Sequence, residues 1–118
     1  MIQGIGLDIV ELDRVARLNG RSTKFRERIL SEAELEIYQQ LKEHRQTEYL
    51  AGRFAAKEAF SKARGTGIGA DCGFLDIEIL SEPSGRPVLY FKQQRISGFV
   101  SITHTQTVAA AQVILMQS

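Results

Sequence analysis

The chain has 118 residues, 43% of them hydrophobic and 25% charged, with a net charge of +1; this length predicts one domain, residues 1–118, with a thin core. The near-neutral charge argues against nucleic-acid binding, and no apolar stretch reaches the roughly 20 residues of a membrane span. A single cysteine, Cys72, and an N-terminus without a signal-peptide pattern favour the cytoplasm.

The first predicted element is a buried strand over residues 2–10. One face of this strand carries Ile5, Leu7 and Ile9, and the other carries two glycines and Asp8. Two glycines beside a carboxylate leave room for a close approach to the backbone on that side.

Helical periodicity follows the strand. Helices are predicted over residues 11–20 and 22–29, and a third begins where Ser31 and Glu34 match a capping box. The longest predicted helix runs from about residue 47 to 64 and stops at a glycine-rich segment.

The second half of the chain changes to the two-residue period of strands. Strands predicted over 74–80 and 88–91 flank a Pro- and Gly-containing turn at 83–87, and residues 99–103 and 107–116 form a hairpin. The last strand is apolar on both faces, which predicts cover on both sides, and the second cover could come from another subunit. A strand, then helices, then an antiparallel sheet predict an α+β domain.

The long helix carries the candidate reactive residues. Its core face is built of small residues and one phenylalanine, and Arg53, Lys57 and Arg64 are predicted on its solvent side. Glu58 and Lys62 lie one turn apart, away from that basic side. Taken alone, such a pair is usually a helix-stabilising contact worth roughly a few tenths of a kcal/mol.

Three other features favour a site for phosphate and a metal. Glycines within residues 65–69 let backbone N–H groups approach an anion. Asp8 and Glu58 together supply two hard oxygen ligands, and Mg²⁺ takes its remaining ligands from water and phosphate. His104 lies among hydroxyl residues at a predicted strand end, which suits phosphate contact. Zinc fits poorly, because the chain has one cysteine and two histidines without ligand spacing.

A basic patch precedes the acidic start of the third helix. Residues 14–28 contain six basic residues and one acidic residue, Glu27. Such a patch on a near-neutral protein favours docking of an acidic partner. A solvated helix face explains the same pattern equally well from sequence alone.

Three segments resemble the motifs of the holo-[acyl-carrier-protein] synthases, the small bacterial 4′-phosphopantetheinyl transferases. The segments are residues 4–11 (GIGLDIVE), residues 53–69 (RFAAKEAFSKARGTGIG) and residues 101–105 (SITHT). The resemblance spans the chain, and the second segment is long enough to make a chance match very rare.

This resemblance implies transfer of the 4′-phosphopantetheine group from coenzyme A to a serine of apo acyl carrier protein, with release of 3′,5′-ADP, in fatty acid biosynthesis. It also implies a homotrimer with active sites between subunits. The implied metal ligands are Asp8 and Glu58, with Mg²⁺ as the cofactor, and Lys62 is implied to face the diphosphate.

The same resemblance assigns the remaining site residues. The carrier-docking surface is implied to comprise Arg14, Arg21 and Arg28, while Glu11 is left unassigned. The residues implied to hold coenzyme A, besides Lys62, are Gly65, Thr66, Gly67, Ser84, Gly85, Arg86, Pro87, His104, Thr105 and, for the 3′-phosphate of a neighbouring subunit's ligand, Arg45.

Two hypotheses follow for function. In the first, the chain is the transferase, Lys62 offsets charge on the leaving side, and Glu58 acts as the general base toward the carrier serine. In the second, the chain is a non-catalytic module that binds coenzyme A or a carrier protein. The second leaves Asp8 and Glu58 unexplained, because two carboxylates repel a polyphosphate unless a cation lies between them.

Overall fold

The computed structural model describes residues 1–118 and confirms the α+β class. Its helices are α1 (Leu12–Gly20), α2 (Lys24–Ile29), α3 (Glu32–Gln39) and α4 (Glu43–Arg64). Its strands are β1 (Ile2–Glu11), β2 (Ile77–Ser81), β3 (Pro87–Phe91), β4 (Gln94–Arg95), β5 (Gly98–His104) and β6 (Val108–Met116). None of the helices combines the length and the apolar character that crossing a membrane requires.

The strands form two antiparallel sheets where the sequence order predicts one. The first has the order β1–β6–β5, so the N-terminal strand pairs with the C-terminal strand. The second is a local meander of β2, β3 and β4, closed by tight turns at Gly85 and at Lys92–Gln93, all with positive φ. Because β5 and β6 form a hairpin that β1 joins at the far edge, the meander remains a separate sheet.

The predicted helix signals are largely confirmed. The Ser31–Glu34 capping box is present, and α4 ends at Gly65, whose φ of +85° is left-handed. Helix α4 begins at Glu43, about one turn before the predicted start. Strand β2 begins later than predicted, because residues Phe74–Asp76 form a 3₁₀ turn in which Asp76 accepts a hydrogen bond from the Gly73 amide at 2.9 Å.

The glycine face of β1 packs directly against α4. A Cβ on Gly4 would lie 2.0 Å from the Ala63 carbonyl oxygen, and one on Gly6 would lie 1.8 Å from the Ala59 carbonyl oxygen. The predicted close approach is therefore made by this chain's own helix. It places the end of α4 beside the strand that carries Asp8.

The opposite face of β1 is not buried within the chain, contrary to the predicted buried strand. Ile5, Leu7 and Ile9 are 56%, 63% and 67% exposed. On β6, the face with Ala109 and Val113 is buried, while the outward face is only partly covered. Within the chain, α4 covers one face of β1 and β6, and cover of the other face by another subunit stays a prediction.

The prediction that Lys57 lies on the solvent side of α4 is wrong. Its side chain is fully buried, and its ammonium lies 2.6 Å from both the Ile29 carbonyl oxygen and Glu34 Oε1. Burial lowers the pKa of Lys57, and the Glu34 carboxylate opposes that shift. Arg53 is also half-buried, with its guanidinium 4.5 Å from the centroid of the Tyr49 ring. A lysine can lie inside when a carboxylate and a carbonyl satisfy it, which periodicity alone does not reveal.

Candidate active site

Asp8 and Lys62 meet where β1 passes the last turn of α4. Lys62 Nζ donates hydrogen bonds to Asp8 Oδ1 at 3.0 Å and to the Leu7 carbonyl oxygen at 3.1 Å. The Asp8 side chain is 17% exposed and that of Lys62 is 51% exposed. A cavity of about 330 Å³ opens here, lined by Leu7, Asp8, Ile9, Lys62 and Ala110.

Glu58 lies one helical turn before Lys62 and completes the charged cluster. Burial raises the pKa of Glu58 above its ordinary 4.5, the Asp8 carboxylate raises it further, and Lys62 and Arg14 oppose both effects. The two carboxylates are therefore close enough to repel each other.

The donor set of this cluster fits Mg²⁺. It consists of two hard carboxylates, of which Asp8 lines the exposed cavity, and the structure has no group of three or more Asp, Glu, His or Cys side chains that could hold a metal ion. Two protein oxygens leave most of an octahedral coordination shell to water or phosphate, which is how Mg²⁺ is usually held. Lys62 offsets the negative charge of both carboxylates, since it pairs with Asp8 and lowers the pKa of Glu58.

The glycine-rich segment after α4 does not present its amides to a ligand, contrary to the predicted anion cradle. The N–H groups of Gly65, Thr66 and Gly67 lie 3.1–3.2 Å from the Ser61 carbonyl oxygen, to which they donate. The left-handed conformation of Gly65 turns the chain back so that these amides satisfy the end of the helix. The assignment of these three residues to coenzyme A stays a prediction, and any contact would use Thr66 Oγ1 or the glycine surfaces.

A second cleft of about 340 Å³ lies between α4, the β2–β3 turn and β5. Its centre is Glu48, whose carboxylate lies 3.3 Å from Arg45 Nε and 3.4 Å from His104 Nδ1. The structure thus brings Arg45, His104 and Pro87 to one cleft, and their assignment to coenzyme A stays a prediction. The full lining is Arg45, Glu48, Tyr49, Gly52, Arg53, Ser81, Gly85, Pro87, Val100, Ser101, Ile102 and His104.

Sequence reasoning missed two residues of this cleft. Tyr49 Oη and Arg53 Nε are buried and have no hydrogen-bond partner. Burial raises the pKa of Tyr49 to about 12, with Arg53 acting in the opposite direction. The one signal in the sequence was their spacing of four residues on α4, which places them on the same face.

The remaining predicted ligand residues lie apart from the centre of this cleft. Ser84 Oγ accepts a hydrogen bond from the Arg86 amide at 3.4 Å within the β2–β3 turn. The Arg86 guanidinium lies 5.3 Å from the centroid of the Phe99 ring, at the edge of a different cavity. Thr105 Oγ1 accepts from the amides of Thr107 and Val108, both at 3.2 Å, so it shapes the β5–β6 turn.

The three predicted docking arginines, Arg14, Arg21 and Arg28, are all exposed, on α1 and α2 and in the segment between them. Arg14 also acts electrostatically on Glu58, which places its end of α1 beside the reactive cluster. Arg26, from the same basic run, is used internally, since its guanidinium donates to Asn19 Oδ1 at 2.9 Å.

The two clefts have no lining residue in common. One is lined by Asp8 and Lys62, and the other holds Arg45 and His104 around Glu48.

Comparison with known proteins shows the superfamily of this chain and similar synthases within it. Residues 4–114 match the model of the 4′-phosphopantetheinyl transferase superfamily, and the chain belongs to this superfamily. It is 55% identical over 116 residues to the holo-[acyl-carrier-protein] synthase of Bacillus subtilis (strain 168), covering 98% of this chain and 96% of that one. The synthase of Listeria innocua is 51% identical over 118 residues, covering 99% and 100%.

Solved structures show the same fold. The holo-(acyl-carrier-protein) synthase of Bacillus anthracis str. Ames, in complex with CoA (3′,5′-ADP), has a TM-score of 0.89 and 48% identity, covering 100% of this chain and 99% of that one. The Helicobacter pylori synthase, in complex with coenzyme A, has a TM-score of 0.83 and 34% identity, covering 95% and 99%.

Proposed function

We propose that this chain transfers the 4′-phosphopantetheine group of coenzyme A to a serine of apo acyl carrier protein and releases 3′,5′-ADP, using Asp8, Glu58 and Lys62. The transfer follows from membership in the superfamily and from synthases about half identical over the whole chain. The observation that supports the site is the Asp8–Lys62 ion pair at one cavity, with Glu58 close enough for both charges to act on its carboxylate.

Asp8 and Glu58 would hold Mg²⁺. The mutual repulsion of their carboxylates, seen in the raised pKa of Glu58, is relieved when a cation lies between them. When bound, Mg²⁺ would neutralise negative charge on the diphosphate of coenzyme A.

Lys62 is placed to act on the diphosphate itself. Its ammonium is half exposed and lies at the cavity mouth, held only by Asp8 and the Leu7 carbonyl group. A phosphate oxygen can replace these partners without moving the backbone. Lys62 then offsets charge on the leaving 3′,5′-ADP, since phosphoryl transfer depends on charge stabilisation and in-line positioning.

Glu58 serves as the general base. The carrier serine oxygen attacks the phosphorus that bears the pantetheine arm, its proton passes to the Glu58 carboxylate, and the bond from that phosphorus to 3′,5′-ADP breaks. A carboxylate has two oxygens, so one would hold the cation while the other accepts the proton, and burial, the largest cause of the raised pKa of Glu58, favours proton acceptance.

The exposed face of the first sheet supports assembly as a homotrimer with active sites between subunits. Ile5, Leu7 and Ile9 form an apolar surface on a chain with a small core. The cavity with Asp8 and Lys62 opens beside Leu7, Ile9 and Ala110 on this face. A neighbouring subunit seated there would bring its own Arg45 and His104 toward the diphosphate, joining two clefts that are separate within one chain.

Mixed assemblies test the shared site. Asp8→Asn and Arg45→Ala chains are expected to be inactive separately and to regain about one quarter of wild-type activity after unfolding and refolding together, because each site needs one intact half from each neighbour. Native mass spectrometry of the mixture gives the subunit count. No recovery in assemblies that contain both chains would argue that each site lies within one subunit.

The acidic carrier protein is proposed to dock on Arg14, Arg21 and Arg28, which are exposed beside the cluster. A cytoplasmic location also stays a proposal, supported by a single cysteine, Cys72, that is buried and unpaired.

The proposed function is tested by measuring 3′,5′-ADP released from coenzyme A, chromatographically, with and without apo carrier protein. Release is expected only when enzyme, Mg²⁺ and the apo carrier are all present, in a ratio of one to each carrier modified. Coenzyme A binding without any release, across several apo carriers, would favour the non-catalytic binding module.

A further inference from the structure

Lys57 lies in the second motif, residues 53–69, and has no part in the proposed reaction; unlike Arg53 and Arg64, which lie in the same motif, it is fully buried. It directly precedes Glu58, but successive helical side chains point about 100° apart. Glu58 faces Asp8, whereas Lys57 is completely buried on the side of α2 and α3. It therefore has no path to the diphosphate.

The Lys57 ammonium holds three elements against α4. It donates to the Ile29 carbonyl oxygen at the end of α2 and to Glu34 Oε1 in α3, both at 2.6 Å. Glu34 Oε1 also accepts from the Ser31 amide at 2.9 Å, and Glu34 Oε2 accepts from the Ile79 amide of β2 at 2.9 Å. Lys57 Nζ and both carboxylate oxygens of Glu34 thus have hydrogen-bond partners.

Stability alone is a poor reason for such a pair. Well-packed apolar residues in place of a buried ion pair are often equally or more stabilising, so a charged pair is better explained by the geometry that it fixes. Here the fixed point is Ile29, which follows the exposed Arg28 and lies in the same short helix. Phe25 of that helix also contacts Phe54 of α4, at 5.8 Å between ring centroids.

We propose that Lys57 is a positioning residue for the carrier protein: through Ile29 and Glu34 it holds the arginine-bearing helix α2 at a fixed distance from Glu58. This inference rests on the proposed docking surface of Arg14, Arg21 and Arg28. The carrier serine then reaches the diphosphate only when α2 keeps this distance from Glu58 on α4. Coenzyme A, which is proposed to lie at Lys62 and the second cleft, is unaffected by it.

The test separates the two substrates. Lys57→Met keeps the side-chain length and removes the charge and the donor. Its KM for apo carrier protein is expected to rise about fivefold or more, while its Kd for coenzyme A, measured by calorimetry, changes less than about twofold. The matched control is Val113→Ala, a fully buried change in β6. It is expected to lower Tm but to leave the KM for carrier protein unchanged.

The positioning proposal can fail in two ways, and a second variant is available if the first does not fold. An unchanged KM for carrier protein in folded Lys57→Met, or an equal loss of coenzyme A affinity, would overturn the proposal. If Lys57→Met does not fold, Glu34→Gln replaces it, since the amide oxygen still accepts from Lys57 while the charge and the acceptor for the Ile79 amide are lost. Its KM for carrier protein is expected to rise about threefold, and an unchanged value would overturn the proposal.

Arg21→Glu distinguishes failure of the docking surface from failure of the positioning role. If Arg21→Glu leaves the KM for carrier protein unchanged, the docking surface lies elsewhere and the positioning proposal fails with it. If Arg21→Glu raises that KM and Lys57→Met does not, the surface stands and only the positioning role is wrong.

Discussion

Lys62 Nζ lies 3.0 Å from Asp8 Oδ1, so the ammonium already occupies an oxygen that the proposed metal site needs. Lys62 and the proposed cation would therefore compete for the Asp8 carboxylate. Binding of the cation and release of Lys62 toward a phosphate are then two parts of one exchange. Metal binding at Asp8 and phosphate binding at Lys62 are therefore expected to be linked.

Lys62→Ala should separate these two roles. Without the competing ammonium, Mg²⁺ should bind the protein alone severalfold more tightly, while the Kd for coenzyme A should weaken about tenfold because a phosphate contact is lost. Titration calorimetry with each ligand measures both effects, and Lys92→Ala, an exposed lysine of the β3–β4 turn, is the control. Weaker Mg²⁺ binding in Lys62→Ala would show that the lysine supports the metal site instead of competing for it.

Glu58→Gln should cost more activity than Lys62→Ala. The change removes one proposed metal ligand and the proposed base together, so kcat is expected to fall by about 10²–10³ or more at saturating Mg²⁺. Steady-state kinetics against both substrates measure this, with Glu36→Gln on the exposed face of α3 as the control. A Glu58→Gln enzyme that keeps most of the wild-type rate would remove Glu58 from the role of base.

Charge reversal at Arg21 and Arg28 should act on the carrier protein alone. The double change to Glu is expected to raise the KM for carrier protein about tenfold or more and to flatten its dependence on salt, while the Kd for coenzyme A is unchanged. Arg14 is left intact in this test, because its charge also lowers the pKa of Glu58. Arg95→Glu, an exposed reversal on β4, controls for net charge; an equal effect there would argue for a non-specific field.

Gly6→Ala should destabilise the fold more than other glycine changes. Its new Cβ would lie 1.8 Å from the Ala59 carbonyl oxygen, so β1 and α4 must separate, at a cost of about 2–4 kcal/mol in the free energy of unfolding. Gly20→Ala has no heavy atom within 4 Å of the new Cβ and should be neutral or stabilise by about 0.5 kcal/mol. Urea denaturation distinguishes the two, and similar midpoints would contradict the close packing.

Tyr49 should ionise later than an exposed tyrosine. Burial raises its pKa from 10.0 to about 12. Below pH 10.0 the hydroxyl is neutral in both states, so it does not change the free energy of unfolding. Above pH 10.0 the unfolded chain ionises more readily than the folded protein, so the free energy of unfolding falls as pH rises through about 12. The difference in tyrosinate absorbance between wild type and Tyr49→Phe should therefore titrate near pH 12. A difference that titrates near pH 10 would mean that the hydroxyl is solvated.

The residues of the charged cluster could be singled out from local patterns, while their proposed roles came from the family resemblance. Asp8 was identified by the glycines on its face of the strand, and Glu58 and Lys62 by their one-turn spacing before a glycine-rich helix end. Each of these patterns spans only a few residues. The packing of β1 on α4 then brings Asp8 close to Lys62.

Long-range pairing explains what the sequence did not reveal. Lys57 was predicted at the surface because its partner, Glu34, lies 23 residues earlier. The amides of residues 65–67 were predicted to face an anion, but the helix end uses them first. The cleft around Glu48 draws on α4, the β2–β3 turn and β5, a combination that only the tertiary fold defines.

The most direct test of the transfer is the intact mass of apo acyl carrier protein after incubation with this enzyme, coenzyme A and Mg²⁺. A gain of one phosphopantetheine group is expected with wild type. The gain should be absent with EDTA, with Asp8→Asn, and with a carrier in which the acceptor serine is alanine. A gain that persists in EDTA would contradict the metal site at Asp8 and Glu58, and no gain with any apo carrier would contradict the transfer itself.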